Sequence, residues 1–267
     1  MLYGSFPISS HVVLKVGNIT ADALDEVSTQ RQMLPPSYNH YERISSHSSN
    51  GSQFTDLKIL FQPLFGTSFF LDDYLSEEKN LLNSQRIIIT SASSKTALGL
   101  AFLLSVRKLD QEIIGLTSSS NVTFSEASGY YDRVLSYDHV GILSSIMSTF
   151  VADFAGNEAV LSALESTLNL SSICRIGASH GQIPSNSHKT ETSFFFVPNH
   201  VRKRRDEWGE VTLNRKLLEA MILFLESTEC WLQLKRVNGM SDFEELYLKM
   251  LNGYVNPDEG NIVYLLY

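Results

Sequence analysis

The chain is poor in cysteine, has no long apolar run and carries no excess of positive charge. Cys174 and Cys230 are its only cysteines. That is too few for a disulfide framework or a cysteine-rich zinc site, and it predicts a reducing compartment. No stretch reaches the ~18 uninterrupted apolar residues of a membrane span, and the opening MLYGSFPISSHVVLKV has no basic region leading into an apolar one. The expectation is a soluble, cytoplasmic protein without a membrane partner, whose sequons at Asn18, Asn121 and Asn169 are chance matches. Asp and Glu outnumber Lys and Arg by 29 to 21, a formal net charge of -8, which argues against nucleic acid as a partner. The one basic run, Arg202, Lys203, Arg204 and Arg205, is followed by Asp206 and Glu207. It reads as a solvated helix start or turn rather than a nuclear-localisation or phosphate-binding patch. His180 and His188 share one polar loop without a cysteine or metal-type pair, so no metal is expected. No G-x-S-x-G elbow of a serine hydrolase occurs.

What is present is an ordinary globular composition, 43% hydrophobic and 19% charged over 267 residues, long enough for one dominant domain and an appendage. The most informative stretch is RIIITSASSKTALGLAFLL at residues 86–104. A short β-branched run, a turn of small hydroxylated residues and an apolar segment at helical spacing make the strand–turn–helix of a nucleotide-binding α/β unit. The glycines of such a turn are missing, since Ser91, Ser94 and Ala97 stand at the positions of G-x-x-G-x-x-G. Beyond it the pattern predicts strands at residues 112–116, 133–135, 149–153, 173–176 and 194–197, with helices around 121–128, 158–168 and 213–225. Short buried strands separated by helices imply a doubly wound parallel sheet over about residues 62–230. Upstream, the expectations are a strand at 11–16, a helix at 21–32 begun by Thr20, a loop at 35–53 and a helix at 65–82. Downstream they are a polar loop at 179–192, a strand at 231–235, a helix at 242–251 and a closing strand at 262–266.

A pyrophosphate at a helix N-terminus needs free N–H groups and close approach, which glycine allows best and serine tolerates while φ stays negative. Ser93, Ser94, Lys95 and Thr96 can add side-chain donors there; alternatively the hydroxyls merely cap the helix. The second strand ends in GLTSSSN, without the acid that NAD-binding folds place against the ribose 2′-hydroxyl. Ser118 and Asn121 can instead donate to a 2′-phosphate, which favours NADP as the cofactor, or Asn121 caps the next helix. Tyr38 or Tyr41 can act as a general acid toward a carbonyl or quinone, or serve packing plus one hydrogen bond. SASSKT also resembles the end of a P-loop, with Asp153 as its magnesium-holding acid, but both glycines that shape a P-loop are absent.

Several strings carry a resemblance. They include YGSFPISSH at residues 3–11, YNHY at 38–41, QPLFGTSFFLDDYL at 62–75, SASSKTALGLAFLL at 91–104, GLTSSSNVTF at 115–124, GYYDRVLSYD at 129–138, ADFAGN at 152–157, FFFVP at 194–198 and LNGYVNPDEGNIVYLL at 251–266. In these the chain resembles the zinc-independent, quinone-oxidoreductase-like branch of the medium-chain dehydrogenase/reductase superfamily, most closely an uncharacterised domain-of-unknown-function offshoot of it. The resemblance implies a Rossmann-like cofactor domain at residues 62–230 and a partial GroES-like β domain built from both chain ends, 1–61 and 231–267. It implies NADPH-linked reduction of a small quinone or activated carbonyl, with Ser93, Ser94, Lys95 and Thr96 on the phosphate turn. Thr67 then matches a threonine placed before a helix beside the nicotinamide, and Tyr137 an aromatic beside the adenosine. In the family the YGSFPISSH segment lies behind several strands of the GroES-like domain, whereas here it begins at Met1, so the amino-terminal part of that domain is expected to be lacking. This keeps open a catalytically inactive nucleotide-binding or interaction protein, and a homodimer is also left open.

Overall fold

The computed structural model describes residues 2–5, 11–34, 36–43, 51–176 and 189–265. His180, His188 and the first part of the polar loop around them lie outside the described residues, as does Leu266 of the predicted closing strand. The chain divides into two compact units, one of Met1–Leu60, Arg236–Leu248 and Asn261–Tyr267, the other of Phe61–Lys235 and Lys249–Gly260.

The smaller unit holds four short antiparallel strands, β1 (Leu2–Tyr3), β2 (Val16–Gly17), β3 (Ala23–Glu26) and β4 (His40–Arg43), in the order β1-β4-β3-β2. Tyr41 is fully buried, and its hydroxyl donates to the Ser5 carbonyl at 3.1 Å. Two expectations fail here. The helix expected at residues 21–32 is instead β3 and a 3-10 turn at Thr29–Arg31. The Thr20 hydroxyl accepts the Ala23 N–H at 2.9 Å and turns the chain into a strand that pairs on both sides, so non-local ladders override helical propensity. Residues 40–43, expected in a loop, form β4 because β1 and β3 flank them. The strand at 11–16 shrinks to β2. The first helix, α1 (Gly51–Leu75), begins inside the expected loop. In the smaller unit its Asp56 accepts from Arg236 at 2.7 Å and from the Tyr264 hydroxyl at 3.1 Å.

The larger unit continues with α2 (Lys79–Leu82), β5 (Arg86–Thr90), α3 (Lys95–Arg107), β6 (Glu112–Thr117), α4 (Val122–Ala127) and β7 (Arg133–Ser136). Then come β8 (Ser148–Asp153), α5 (Glu158–Thr167), β9 (Asn169–Ile176), β10 (Thr192–Phe195), α6 (Val197–Trp208) and α7 (Glu210–Ser227). The six strands are parallel in the order β10-β9-β8-β5-β6-β7. This is the expected doubly wound sheet, and every residue of β5 is buried, as a central parallel strand with helices on both faces requires. On one face Ile88, Ile114, Val151 and Ile173 meet Leu161 and Leu164 of α5. Elsewhere in this unit the Phe224 ring stacks on Phe65 and meets Phe61 and Phe102 edge-on. The chain closes with β11 (Gln233–Asn238), α8 (Gly239–Leu251) and β12 (Glu259–Tyr264), β11 and β12 forming a two-stranded sheet. Among the described residues no helix is long and apolar enough to cross a membrane.

The basic run belongs to α6, a helix that the sequence pattern did not reveal, and one of its members is not solvated. Arg204 is buried and donates to Asp73 and Glu207, and to Glu77 at 2.6 Å. His200, also buried, shares Asp73 at 2.6 Å. Burial works against the Asp73 carboxylate, but the hydrogen bonds from His200 and Arg204 outweigh it and hold its pKa below the ordinary value. A carboxylate with a lowered folded-state pKa adds stability that is complete above its unfolded pKa of ~3.9 and is lost as pH falls through the folded value. Arg204→Met should therefore cost about 2–4 kcal/mol near neutral pH, less than the ~3–5 kcal/mol of a wholly buried pair because Glu77 and Glu207 remain partly solvated. Urea unfolding should show this deficit shrinking as the pH drops below the unfolded value of ~3.9 and on through the lowered folded value of Asp73.

Candidate functional site

The strand order reverses between β5 and β8, so the connections leaving them diverge to opposite faces, the place where open α/β sheets form a ligand crevice at their carboxyl ends. Thr90 and Asp153 end the two strands and are both buried. The Thr90 hydroxyl donates to Asp153 Oδ1 at 2.8 Å and accepts the N–H groups of Phe154 at 2.8 Å and Ala155 at 3.0 Å. Asp153 also accepts from Ala155 at 3.1 Å and, at Oδ2, from Gly156 at 3.2 Å, with Arg175 Nε 3.8 Å away. The acid that a P-loop reading reserves for magnesium is thus committed to closing the end of β8. Among the described residues no group of three His, Cys, Asp or Glu side chains is placed to hold a metal.

From Thr90 the chain enters the serine turn. Ser91 has φ of 50°, so it adopts the left-handed conformation itself, contrary to the expectation that serine serves here only at negative φ. Its N–H donates to the Tyr137 hydroxyl at 3.0 Å, and its carbonyl accepts from the Ser94 N–H at 2.8 Å. Ser94 is the N-cap of α3, its hydroxyl accepting the Ala97 N–H at 3.3 Å. Lys95 and Thr96 then occupy the first two helical positions, whose N–H groups have no carbonyl one turn earlier to donate to. The Ser93 hydroxyl accepts from Thr117 at 3.2 Å and from the Asn121 amide at 3.1 Å. Asn121 stands at the N-cap position of α4 but makes no side-chain cap bond to it.

Close approach at this end of the sheet comes from a glycine of β6. A Cβ on Gly115 would sit 2.9 Å from the Ala92 Cβ and 3.0 Å from the Tyr131 ring, and the Tyr131 hydroxyl donates to the Ala92 carbonyl at 2.8 Å. Burial pushes the Tyr131 phenol up, keeping it a donor. Lys95 extends to the Pro257 carbonyl at 3.1 Å. Desolvation lowers its pKa, with the fields of Asp258 and Glu259 acting in the opposite sense.

The structure thus brings Ser93, Ser94, Lys95, Thr96, Asn121 and Tyr137 to the turn. Ser118 follows the end of β6, exposed, its hydroxyl 3.2 Å from Ser120. Thr67 is not joined to this group. It stands inside α1 rather than before a helix, and its hydroxyl donates back to the Pro63 carbonyl at 3.0 Å. Tyr38 and Tyr41 lie in the smaller unit, Tyr38 exposed and Tyr41 buried with its hydroxyl engaged. Thr90, Thr117 and Pro257 were not singled out in the sequence. Their partners are far along the chain, and the visible signal was a threonine at the end of one predicted strand, Thr90, and another just past the end of the next, Thr117. Chemically, the helix start, a cation and clustered hydroxyls form a donor set for an anion of the phosphate type.

A reversed six-stranded parallel sheet with a helix start at the switch point defines a doubly wound, Rossmann-like α/β protein. Residues 1–256 match the model of the family described as protein of unknown function (DUF2855), and the chain belongs to that family. No curated protein matches the sequence significantly. Among solved structures, CurA from Vibrio vulnificus in complex with NADPH is similar with a TM-score of 0.54 at 11% identity, covering 85% of this chain and 69% of that one. The yhdH oxidoreductase from Salmonella enterica in complex with NADP gives 0.51 at 14% identity, covering 91% and 75%. S. aureus TarJ in complex with NADPH gives 0.51 at 13% identity, covering 92% and 74%. At these identities the likeness is one of fold. It agrees with the resemblance to an uncharacterised offshoot of the medium-chain dehydrogenase/reductase superfamily.

Thr90→Val should destabilise the protein by ~1–3 kcal/mol, because it takes the acceptor from the Phe154 N–H and a donor from the buried Asp153 carboxylate. Thr90→Ser should recover most of the loss, both read by urea unfolding.

Proposed function

We propose that this chain binds NADPH in the crevice at the switch point and uses it, without zinc, to reduce a small quinone or activated carbonyl. The observation that carries the reading is the turn, where the N–H groups of Lys95 and Thr96 open α3 beside the Lys95 ammonium and a cluster of hydroxyls. That donor set fits a pyrophosphate, and three structures of similar fold were determined with NADP or NADPH bound. The end of β6 carries Ser118 and Asn121 and no acid, which suits a 2′-phosphate and repels none. When bound, NADPH supplies the hydride, and the protein binds and orients. In this reading Lys95 and the α3 start hold the pyrophosphate, Ser118 and Asn121 hold the 2′-phosphate, and Tyr137 lies on the adenosine side. Of the two phenols, Tyr41 is buried with its hydroxyl on the Ser5 carbonyl, and Tyr38, the exposed one, is the candidate for proton donation. The two chain ends, residues 1–61 and 231–267, are read as parts of a GroES-like substrate domain, and the setting as cytoplasmic.

A second reading is favoured by one observation. The Ser91 N–H and the Lys95 ammonium, two donors that a phosphate would recruit, already have partners inside the protein. On that reading the chain keeps the sheet and a weakened nucleotide affinity but transfers no hydride, acting as a binding or interaction protein.

Fluorescence titration of the purified protein should show NADPH binding more tightly than NADH, and equal affinities would remove the 2′-phosphate assignment. Lys95→Ala should weaken NADPH binding by ~1.5–3 kcal/mol, the range for a hydrogen bond to a charged group, while leaving the melting temperature without nucleotide nearly unchanged. A matching loss of thermal stability would show that Lys95 serves its bond to Pro257 instead. Oxidation of NADPH by a panel of quinones and enones separates the enzyme from the binding protein.

A further inference from the structure

We infer that Tyr137 is a positioning residue of the cofactor site, setting the backbone of the phosphate turn through its hydroxyl rather than contacting the adenosine. The inference rests on the NADPH reading and departs from it over what this side chain does. Tyr137 follows β7, two strands away from β5, and its ring packs against the core cluster of Ile88, Leu116 and Val140. From there the hydroxyl accepts the Ser91 N–H at 3.0 Å. Ser91 is the residue that needs such help. At φ of 50° it occupies a conformation that a non-glycine residue adopts rarely, and it does so where the family pattern would have glycine. Its carbonyl in turn receives the Ser94 N–H at 2.8 Å, so the orientation of Ser91 decides where the N-cap of α3 lies. The next fixed point is Ser93, held from the end of β6 by Thr117 and Asn121. The turn is therefore pinned from two neighbouring strands. Glycines would reach the same shape without pins, and hydroxyl partners from adjacent strand ends take over that task here. A turn held in its binding shape before the ligand arrives binds more tightly, because less order remains to be imposed.

Three measurements test this. Tyr137→Phe keeps the ring and removes the acceptor, and should weaken NADPH binding ~3–10-fold, the equivalent of one ordinary hydrogen bond. The same substitution should speed hydrogen exchange of the Ser91 amide in the nucleotide-free protein, a readout independent of any cofactor. In a Ser91→Gly background, where left-handed φ needs no support, Tyr137→Phe should change NADPH affinity by less than about twofold. Unchanged Ser91 exchange in Tyr137→Phe overturns the inference whether or not NADPH binds. So does an equal loss of affinity in the serine and glycine backgrounds, which would mean that Tyr137 touches the ligand directly. Wild-type protein that binds no NADPH overturns the cofactor reading and the positioning role with it, whereas wild-type binding with an unaffected Tyr137→Phe overturns the positioning role alone.

Discussion

The bond between Thr90 and Asp153 is the constraint on which the sheet's working end depends. β5 and β8 lie side by side, yet the chain leaves them toward opposite faces, and their mutual pairing ends at Ile89 and Ala152. A buried hydroxyl and a buried carboxylate bridge that gap and gather the N–H groups of Phe154, Ala155 and Gly156. Unpaired polar groups at this depth would cost more than the pairing gains, so the network holds together as a unit. Ser91 starts from a fixed point for this reason, and the serine turn inherits its geometry from the clamp beneath it.

The turn answers a chemical problem by an uncommon route. A phosphate at a helix start needs N–H groups that point outward and a backbone that bends sharply enough to present them. Glycine meets the second need through its own freedom, at an entropic cost on folding. Here Ser91 takes the bend, the Tyr137 hydroxyl satisfies its amide, and Ser94 both closes the turn and caps α3. At Ser91 the replacement of glycine is matched by a side chain elsewhere, the Tyr137 phenol, that supplies what glycine did not have to have. The same economy ties up donors: the Ser91 amide and the Lys95 ammonium are engaged before any ligand arrives, and that is the physical basis for weighing a binding protein against an enzyme.

Much of this was legible in the amino-acid sequence. The isoleucines of β5, the apolar α3 with Ser94 at its start, and the alternation through α5 and β9 follow from local periodicity, because a buried parallel strand and an amphipathic helix each write a pattern into consecutive residues. The missing acid after β6 and the hydroxyls of the turn were visible for the same reason. What consecutive residues do not encode went unseen or was misread. β3 looked helical because its pairing partners β2 and β4 are not adjacent residues. The basic run of α6 looked like a solvated helix start or turn because Asp73 and Glu77, which neutralise Arg204, lie far upstream. Thr67 matched a helix start by its string but stands in mid-helix, since α1 begins well before the apolar spacing does. The left-handed Ser91, its bond to Tyr137, and the joining of Thr90 to Asp153 were decided only by the tertiary structure. Each depends on two strand ends meeting in space, and no spacing along a single segment records which ends will meet.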